Sequence, residues 1–485
     1  MLANSSLNLA LPAISEEMEL TQLQLTWVVE AYALAFAGLL FIGSAVADRY
    51  GRKKVMQIGL VSFAIAAIYA SFGADSGDTL VIARAAMGLA AAFVMPTTLS
   101  VVNVTFPQNE RAKAIAIWGA IAGAGMMLGS VVSGILLEYF SWEATFLLSG
   151  LMAVVAVSLN QIFINESVDE KHTPIDWLGG LFVTAGLVGI VFTIMEAPNQ
   201  DHWWTHGSIV AAAIIGVAGL VAFIIQELRT DHPMLDVRLF KNSVFAVSSG
   251  VLVLVFLALM GSFLNIGQIL QLVLGYSAFT SSLLMMPVMI PMIAISPFVP
   301  KLVAKTGLKS VMLFGLGVII AGMFVMSTWD ANLTYWHVIT GLGITLAGMA
   351  FVMTPATNLL MSEVPKNRSG MGSALNDTTR ELGGALGVAI LGSIISSYFT
   401  SSMNNSLANS GLPADIVESS SSSLAVATVV GNEMGATDLI IASHEAFLSA
   451  VGSAMHISII ITLITFTAAA IWLPKGVKEL AEVHH

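Results

Sequence analysis

The sequence predicts an all-α integral membrane protein, and three observations support that prediction. Of the 485 residues, 56% are hydrophobic and only 10% are charged, whereas soluble domains carry about 25% charged residues. The mean hydropathy is +0.85. Apolar segments long enough to span a bilayer, roughly 20 residues each, follow one another with short polar breaks. Lipid is therefore the expected solvent for most of the surface.

These apolar segments predict fourteen transmembrane helices. The first is short, because only about fourteen residues precede Glu16 and Glu17, against the roughly 20 that a span needs. We therefore interpret the first helix as truncated, with a longer natural chain before Met1. The helices are predicted near residues 1–15, 25–47, 55–74, 79–104, 112–137, 143–165, 175–196, 207–228, 244–265, 278–303, 310–328, 334–358, 370–398 and 447–473.

The basic residues predict which side of the membrane each break faces. Of the 19 Lys and Arg residues, Arg84 and Arg380 fall inside predicted helices, and the other 17 fall on one side. By the positive-inside rule that side is cytoplasmic. We therefore predict a multi-pass protein of the cell (plasma) membrane with both termini in the cytoplasm. The polar segment 400–446, which has no basic residue, is expected to form an extracellular loop.

The chain also repeats itself, because residues 47–56 recur in similar form at residues 303–312. We therefore predict two pseudo-symmetric six-helix bundles with two further helices inserted between them. Parallel repeats of this kind are typical of transporters, in which two bundles rock about a central site. The predicted division is 1–165 for the N-terminal bundle, 166–243 for the inserted helices and their linkers, 244–474 for the C-terminal bundle and 475–485 for a cytoplasmic tail.

The sequence carries no signature of an enzyme, a cofactor site or a metal site. It contains no cysteine, which excludes disulfides and thiolate ligands. No phosphate-binding G-x-x-x-x-G-K-[ST] motif is present, so ATP is not expected as the energy source. A net charge of −11 does not suggest a nucleic-acid partner.

A charged motif, D-R-Y-G-R-K-K, occupies residues 48–54 after the second predicted helix. Its glycine permits a tight turn, and Asp48 can cap the next helix or pair with an arginine. Such a cluster can hold two helices together in one state and release them in another. We therefore predict a conformational latch of Asp48, Arg49, Gly51 and Arg52; a simple basic anchor at the cytoplasmic surface is the alternative.

This motif resembles the loop 2–3 signature of the major facilitator superfamily, G-x-x-x-D-R-x-G-R-[KR], with Ser44 in place of the first glycine. Arg84 and Gly88 resemble the R-x-x-x-G motif of its fourth helix. The similarity to the fourteen-helix drug:proton antiporters, the QacA/EmrB-like multidrug exporters, covers essentially the whole chain. Further matching segments are residues 8–12, 95–99, 233–240 and 376–384.

Two departures from that family pattern concern coupling. The fifth helix of its proton antiporters carries G-x-x-x-G-P-x-x-G-G, whereas this chain has Ser130 in place of the proline and Ser133 in place of a glycine. Relatives also carry an acidic residue five positions before Asn8, where this chain has Ala3. The resemblance therefore leaves open whether coupling to protons is altered.

Few acidic residues lie inside predicted helices, where a charge at the bilayer centre costs about 2.5–3.5 kcal/mol on insertion scales. Asp377 and Glu381 are four residues apart and share a helix face. Held away from water, Glu381 can exchange its proton for a cationic substrate, which is the simplest antiport mechanism. An ion pair with Arg380 or Arg84 is the alternative. The resemblance implies a role for Glu381 in cation recognition or protonation.

Further candidates come from the same helices. Glu30 matches an acidic position of the relatives, and Arg84 stays protonated when buried. With Asp377 and Glu381 they form the predicted proton-coupling and substrate-binding set. His456 is a candidate proton relay, although a lone histidine is more often simply hydrogen-bonded. Candidates for the substrate cavity, each with ordinary packing as the alternative, are Trp27, Tyr32, Phe36, Met95, Met353, Asn358 and Asn376.

The sequence thus predicts a proton-coupled secondary exporter of cationic or amphipathic drugs that works by alternating access. Its expected partners are a lipophilic cation, protons and the lipid bilayer, without nucleic acid, and the resemblance implies a monomer. One alternative is a narrow-specificity exporter of a metabolite or antibiotic with altered coupling. The other is a non-transporting membrane receptor or scaffold, which has no reason to retain buried acids.

Overall fold

In the computed structural model the chain is built from helices and connecting turns, and the described residues include no strand. The structure describes residues 22–168, 174–197, 203–263, 265–364, 368–408 and 412–473, together with positions 7, 10, 14, 17 and 18. The helices of the first half are α1 (Gln22–Tyr50), α2 (Arg52–Phe72), α3 (Gly77–Thr105), α4 (Gln108–Tyr139), α5 (Glu143–Phe163), α6 (Trp177–Glu196) and α7 (Gly207–Arg229).

The second half continues with long helices and a few short ones. A π-helical turn, Ile269–Val273, follows the first of them. The helices are α8 (Ser243–Phe263), α9 (Ala278–Ile295), α10 (Val299–Thr306), α11 (Leu308–Ser327), α12 (Tyr335–Ser362), α13 (Ser369–Leu407), α14 (Ala414–Ser420), α15 (Leu424–Met434) and α16 (Thr437–Trp472).

Twelve helices among the described residues are long and apolar enough to span a membrane. This confirms the all-α membrane class. The 32-residue helix α4 covers the predicted helix 112–137 without being one of the twelve. The predicted first helix, 1–15, lies almost wholly outside the described residues. The count of fourteen therefore stays a prediction.

The chain separates into two compact units whose boundaries run through helices. Unit 1 consists of Met1–Leu252 and Met353–Glu381, and unit 2 consists of Val253–Val352 and Leu382–His485. The predicted division by sequence repeat, with boundaries at residues 165 and 243, is not tested by this separation and stays a prediction.

Within unit 1, α1 packs along α3 and α6, α2 packs along α3 and α5, and α6 packs along α7. Small residues allow the backbones to approach closely. A Cβ added to Gly189 of α6 would lie 2.7 Å from the Gly216 Cα of α7. The Thr184 hydroxyl of α6 donates to the Gly38 carbonyl of α1 at 2.7 Å. The predicted inserted helices therefore form a tight pair that rests on α1.

Within unit 2, α11 packs along α16, and α15 packs against α16. The segment 400–446, predicted as an extracellular loop, is largely helical, because α13 continues to Leu407 and α14 and α15 follow it. Ser423 caps α15 by accepting a hydrogen bond from the Val426 amide at 3.3 Å, and Gly435, with φ of +63°, ends it. The polar composition of this segment thus reflects short solvated helices and their caps.

The two copies of the sequence repeat adopt the same turn. Gly51 has φ +112° and ψ +125° immediately before α2, and Gly307 has φ +88° and ψ +150° immediately before α11. Residues that carry a side chain rarely adopt positive φ, so glycine is the residue that fits both turns. Pro96 in α3 and Pro355 in α12 also correspond. The sequence repeat is therefore a structural repeat at these positions.

Candidate substrate and proton site

Arg84 is held against an aromatic ring inside unit 1. It is 1% exposed, its Nε donates to the Val28 carbonyl at 2.9 Å, and its guanidinium lies over the Tyr32 ring at 4.5 Å from the centroid. One turn further along α3, a Cβ added to Gly88 would lie 2.9 Å from the Tyr32 Cα. The R-x-x-x-G motif therefore docks α3 on α1 and places a permanent cation on a predicted cavity residue.

The aromatic side chains of α1 continue along one face of the helix. Tyr32 is stacked on Phe36 with ring centroids 5.9 Å apart, and both residues are buried. Trp27, at the start of the described side chains of α1, is 5.9 Å from the Phe192 ring of α6. Part of the predicted aromatic set thus forms a continuous surface, whereas Trp27 packs towards the inserted helices.

The first turns of α13 are buried on every side, from Ser369 to Arg380. This stretch carries Asp377, which is 3% exposed. Asp377 Oδ1 accepts a hydrogen bond from Asn376 Nδ2 at 3.3 Å, and Thr357 Oγ1 donates to Asn376 Oδ1 at 3.0 Å. Asp377 Oδ2 is buried without a hydrogen-bond partner among the described residues. A polar network is therefore enclosed in unit 1 with one carboxylate oxygen unused.

Arg380 is the cation of this network. Its Nη1 lies 3.9 Å from Asp377 Oδ1, and its guanidinium lies over the Trp118 ring at 5.3 Å from the centroid. Its Nη2 also contacts Met353 Sδ at 3.6 Å. Trp118 of α4 is held in turn by donating to Thr98 Oγ1 at 3.1 Å. Trp118 is not among the cavity residues predicted from the sequence. Its position inside an apolar helix is the only sequence feature that could have indicated it.

Glu381 comes directly after the fully buried stretch and is half-buried. The described residues offer it no ion pair within 4.0 Å, since Arg380 is nearest to Asp377 instead. Its carboxylate interacts electrostatically with Arg380 and with Tyr32. Glu381 therefore lies beside the aromatic surface of α1, and no described residue forms a salt bridge with it.

The predicted latch residues form a charge network at one end of unit 1. Asp48 Oδ1 lies 2.6 Å from Arg52 Nη2, and both residues are buried. The Asp48 carboxylate also accepts the Gly370 amide at 2.9 Å, at the N-terminus of α13. Arg49 lies over the Tyr50 ring at 5.6 Å. Asp48 thus joins α1 to a helix more than 300 residues away in the sequence.

The cap of α2 is Glu166 rather than Asp48. Its two carboxylate oxygens each accept one backbone amide, from Lys53 and Lys54, at 3.0 Å. The proposal that Asp48 caps the following helix is therefore wrong, and its alternative, pairing with an arginine, is observed. Glu166 lies beyond α5, so only the folded chain brings its charge to this helix N-terminus.

Other predicted residues contribute less, or lie outside the described part. Met95 and Asn358 are half-buried. The side chains of Glu30 and Ser130, and the whole of Ala3, lie outside the described residues. Ser133 is buried, and its hydroxyl donates to the Gly129 carbonyl at 2.7 Å, a bond that the family's glycine cannot make.

Comparisons with known proteins agree on the family. The Major Facilitator Superfamily model matches residues 1–388. Multidrug efflux pump LfrA of Mycolicibacterium smegmatis is 30% identical over 472 residues, covering 96% of this chain and 92% of LfrA. Multidrug resistance protein Stp of Mycobacterium tuberculosis (strain CDC 1551 / Oshkosh) is 28% identical over 480 residues, covering 97% of this chain and 89% of Stp.

A solved structure agrees on the fold. The crystal structure of the human organic anion transporter MFSD10 (TETRAN) has a TM-score of 0.57 at 12% identity, covering 94% of this chain and 89% of that one. At that identity the likeness concerns the fold alone. Members of the family are multi-pass membrane transporters of small molecules rather than enzymes. On the family match and the relatives together, this chain belongs to the major facilitator superfamily.

Proposed function

We propose that the chain exports drugs, and that it exchanges protons for cationic or amphipathic compounds by alternating access across the cell membrane. The relatives named for multidrug efflux and multidrug resistance support export of drugs. The two sequence repeats with matching Gly51 and Gly307 turns support alternating access. Asp377, which is buried, and Glu381, which is half-buried, lie on one helix face and support coupling to protons.

The observation that carries the proposal is the state of Glu381. It is a carboxyl beside an enclosed polar network, half-buried, with no ion pair within 4.0 Å among the described residues. A carboxyl sealed in a tight pair with arginine would stay ionised and carry no proton. Because Arg380 is nearest to Asp377 instead, we propose that Glu381 is the group that exchanges its proton for the cargo.

The surroundings of Glu381 suit a cationic cargo. Phe36 offers an aromatic face, and Met353 offers an adaptable apolar surface. Arg84 and Arg380 already occupy the rings of Tyr32 and Trp118. We propose that these arginines hold the aromatic side chains in place and balance the charge of Asp377, while the cargo meets Glu381.

The test is substrate-driven proton release from the purified chain. We expect a lipophilic cation such as tetraphenylphosphonium to release protons from the wild-type protein and none from Glu381→Gln. The control is Glu433→Gln, an exposed acid of α15, which should behave as wild type. Proton release from Glu381→Gln at the wild-type level would contradict the assignment.

A narrower exporter is the second candidate, and the departures Ala3 and Ser130 favour it. Both replace family residues in or near the helices that serve coupling. If this candidate is correct, a broad panel of lipophilic cations will give no transport, and one compound class will give transport that does not depend on Glu381.

A further inference from the structure

A cavity of about 480 Å³ is built from residues of unit 2 alone. One wall is the turn between α11 and α12, which contributes Trp329, Asp330 and Asn332, and the other wall is one face of α16. Pockets that hold small molecules have volumes of about 300–1,000 Å³. The cavity is therefore large enough for a drug-sized ligand.

The wall on α16 is a polar stripe on an otherwise apolar helix. Glu445, Ser449, Ser453 and His456 recur at offsets of 4, 8 and 11 residues, so they share one face. Further along, that face continues with apolar residues such as Ile460, which is 56% exposed. The stripe therefore forms the polar part of this face, and the apolar part begins near Ile460.

The depth of the stripe can be derived from the length of α16. Its 36 residues exceed the roughly 20 that cross the hydrocarbon core. Counting about 20 residues back from Trp472, its predicted cytoplasmic end, places the outer edge of the hydrocarbon near Ser453. His456 then lies about one turn inside the hydrocarbon, and Glu445 lies about 12 Å outside it, next to the headgroup layer. Molecules with a charged head and an apolar body collect at this level.

The chemistry of the lining favours a cation. Asp330 and Glu445 are carboxylates, and no Lys or Arg of the described chain lines the cavity. Trp329 is 7% exposed, and its indole nitrogen has no hydrogen-bond partner among the described residues. A buried N–H without an acceptor costs stability, whereas a ligand oxygen can accept it. The indole ring also suits a cation–π contact.

We propose that this cavity is a second binding site, for amphipathic organic cations at the outer leaflet. The positive group of the ligand lies between Asp330 and Glu445, and its apolar body lies along α16 towards the lipid. The choice of a cation as ligand rests on the proposed function, whereas the site itself is built from unit 2 residues. It gives an exporter a place to hold cargo on the outer side.

The test is photo-cross-linking of the full-length chain in lipid nanodiscs, with a benzophenone-bearing quaternary ammonium as the probe. We expect label on residues 328–334 or 445–456. The double variant Asp330→Asn/Glu445→Gln should reduce that label about three- to tenfold, because two attractive charges are lost. The matched control, Glu418→Gln/Glu433→Gln, removes two exposed acids of the same unit and should leave the label unchanged.

The other outcomes overturn the inference. Label confined to unit 1 peptides around 376–381 rejects the second site and leaves the proposed exchange at Glu381 standing. Equal loss of label in the control pair means that general surface charge attracts the probe, and it also rejects the site. The proposed function is tested separately, because proton release is measured on Glu381→Gln, which retains Asp330 and Glu445.

Discussion

At the scale of single residues, two buried guanidiniums organise the candidate site. Arg84 lies over Tyr32, and Arg380 lies over Trp118. Each is a permanent cation placed on an aromatic ring that would otherwise be open to a cationic ligand. Both arginines fall inside predicted helices, so their unusual position is visible in the sequence, whereas their ring partners are not.

We predict that Arg84→Lys weakens transport by about tenfold while the protein still folds. Lysine keeps the charge but loses the planar contact with Tyr32 and the geometry of the Nε hydrogen bond to Val28. A desolvated cation–π contact is worth up to about 2 kcal/mol. Ethidium efflux from cells with matched protein levels measures this, with Arg229→Lys, an exposed arginine at the end of α7, as the control. An unaffected Arg84→Lys variant would show that charge alone suffices.

At the scale of elements, positive-φ glycines and charged caps fix how the helices begin. Gly51 precedes α2, whose first amides are capped by Glu166, and Gly307 precedes α11. Asp48 caps α13 while it pairs with Arg52. These contacts lie at helix ends, where a small change in one turn moves a whole helix.

We predict that Gly51→Ala destabilises the protein by about 1–3 kcal/mol, because alanine is strained at φ +112°. The Glu166 carboxylate also occupies the space that the new methyl group needs. Thermal unfolding in detergent measures the change. Gly317→Ala is the control, since a Cβ there would meet nothing within 4 Å, and it should be neutral or stabilising. Equal melting temperatures for the two variants would contradict the strain.

We predict that Asp48→Asn loosens the start of α13. Loss of the charged partner of Arg52 removes a charge-assisted contact worth about 1.5–3 kcal/mol. Ser369, the first residue of α13, is 0% exposed. A cysteine introduced there is therefore shielded from reagents while the start of the helix stays packed. Maleimide should therefore react with that cysteine about tenfold faster after Asp48→Asn. Asp231→Asn, an exposed acid of unit 1, is the control. An unchanged rate would reject the latch.

At the scale of the whole molecule, the predicted topology can be tested cleanly because the chain contains no cysteine. We predict that a membrane-impermeant maleimide added to intact cells labels Asn332→Cys and does not label Lys305→Cys or His485→Cys. Asn332 and Lys305 are exposed in the structure, so burial does not protect them. External labelling of His485→Cys would contradict the predicted cytoplasmic C-terminus.

Much of the site could be predicted one residue at a time. Asp377 and Arg84 attract notice because charges inside apolar helices are costly, and their burial agrees with that reasoning. The partners could not be predicted in the same way. Trp118 meets Arg380 across more than 250 residues of sequence, and no periodicity in either helix indicates the pairing.

The sequence alone determined the helical membrane class, the positions of most helices, the repeated glycine turn and the family. These follow from composition, hydrophobic length and local motifs, which act over a few turns of one helix. Only the tertiary structure decided that Glu166 caps α2, that Asp48 caps α13 and that Arg380 lies nearest to Asp377. Such contacts depend on how helices pack, because charged groups choose partners by distance in space rather than along the chain.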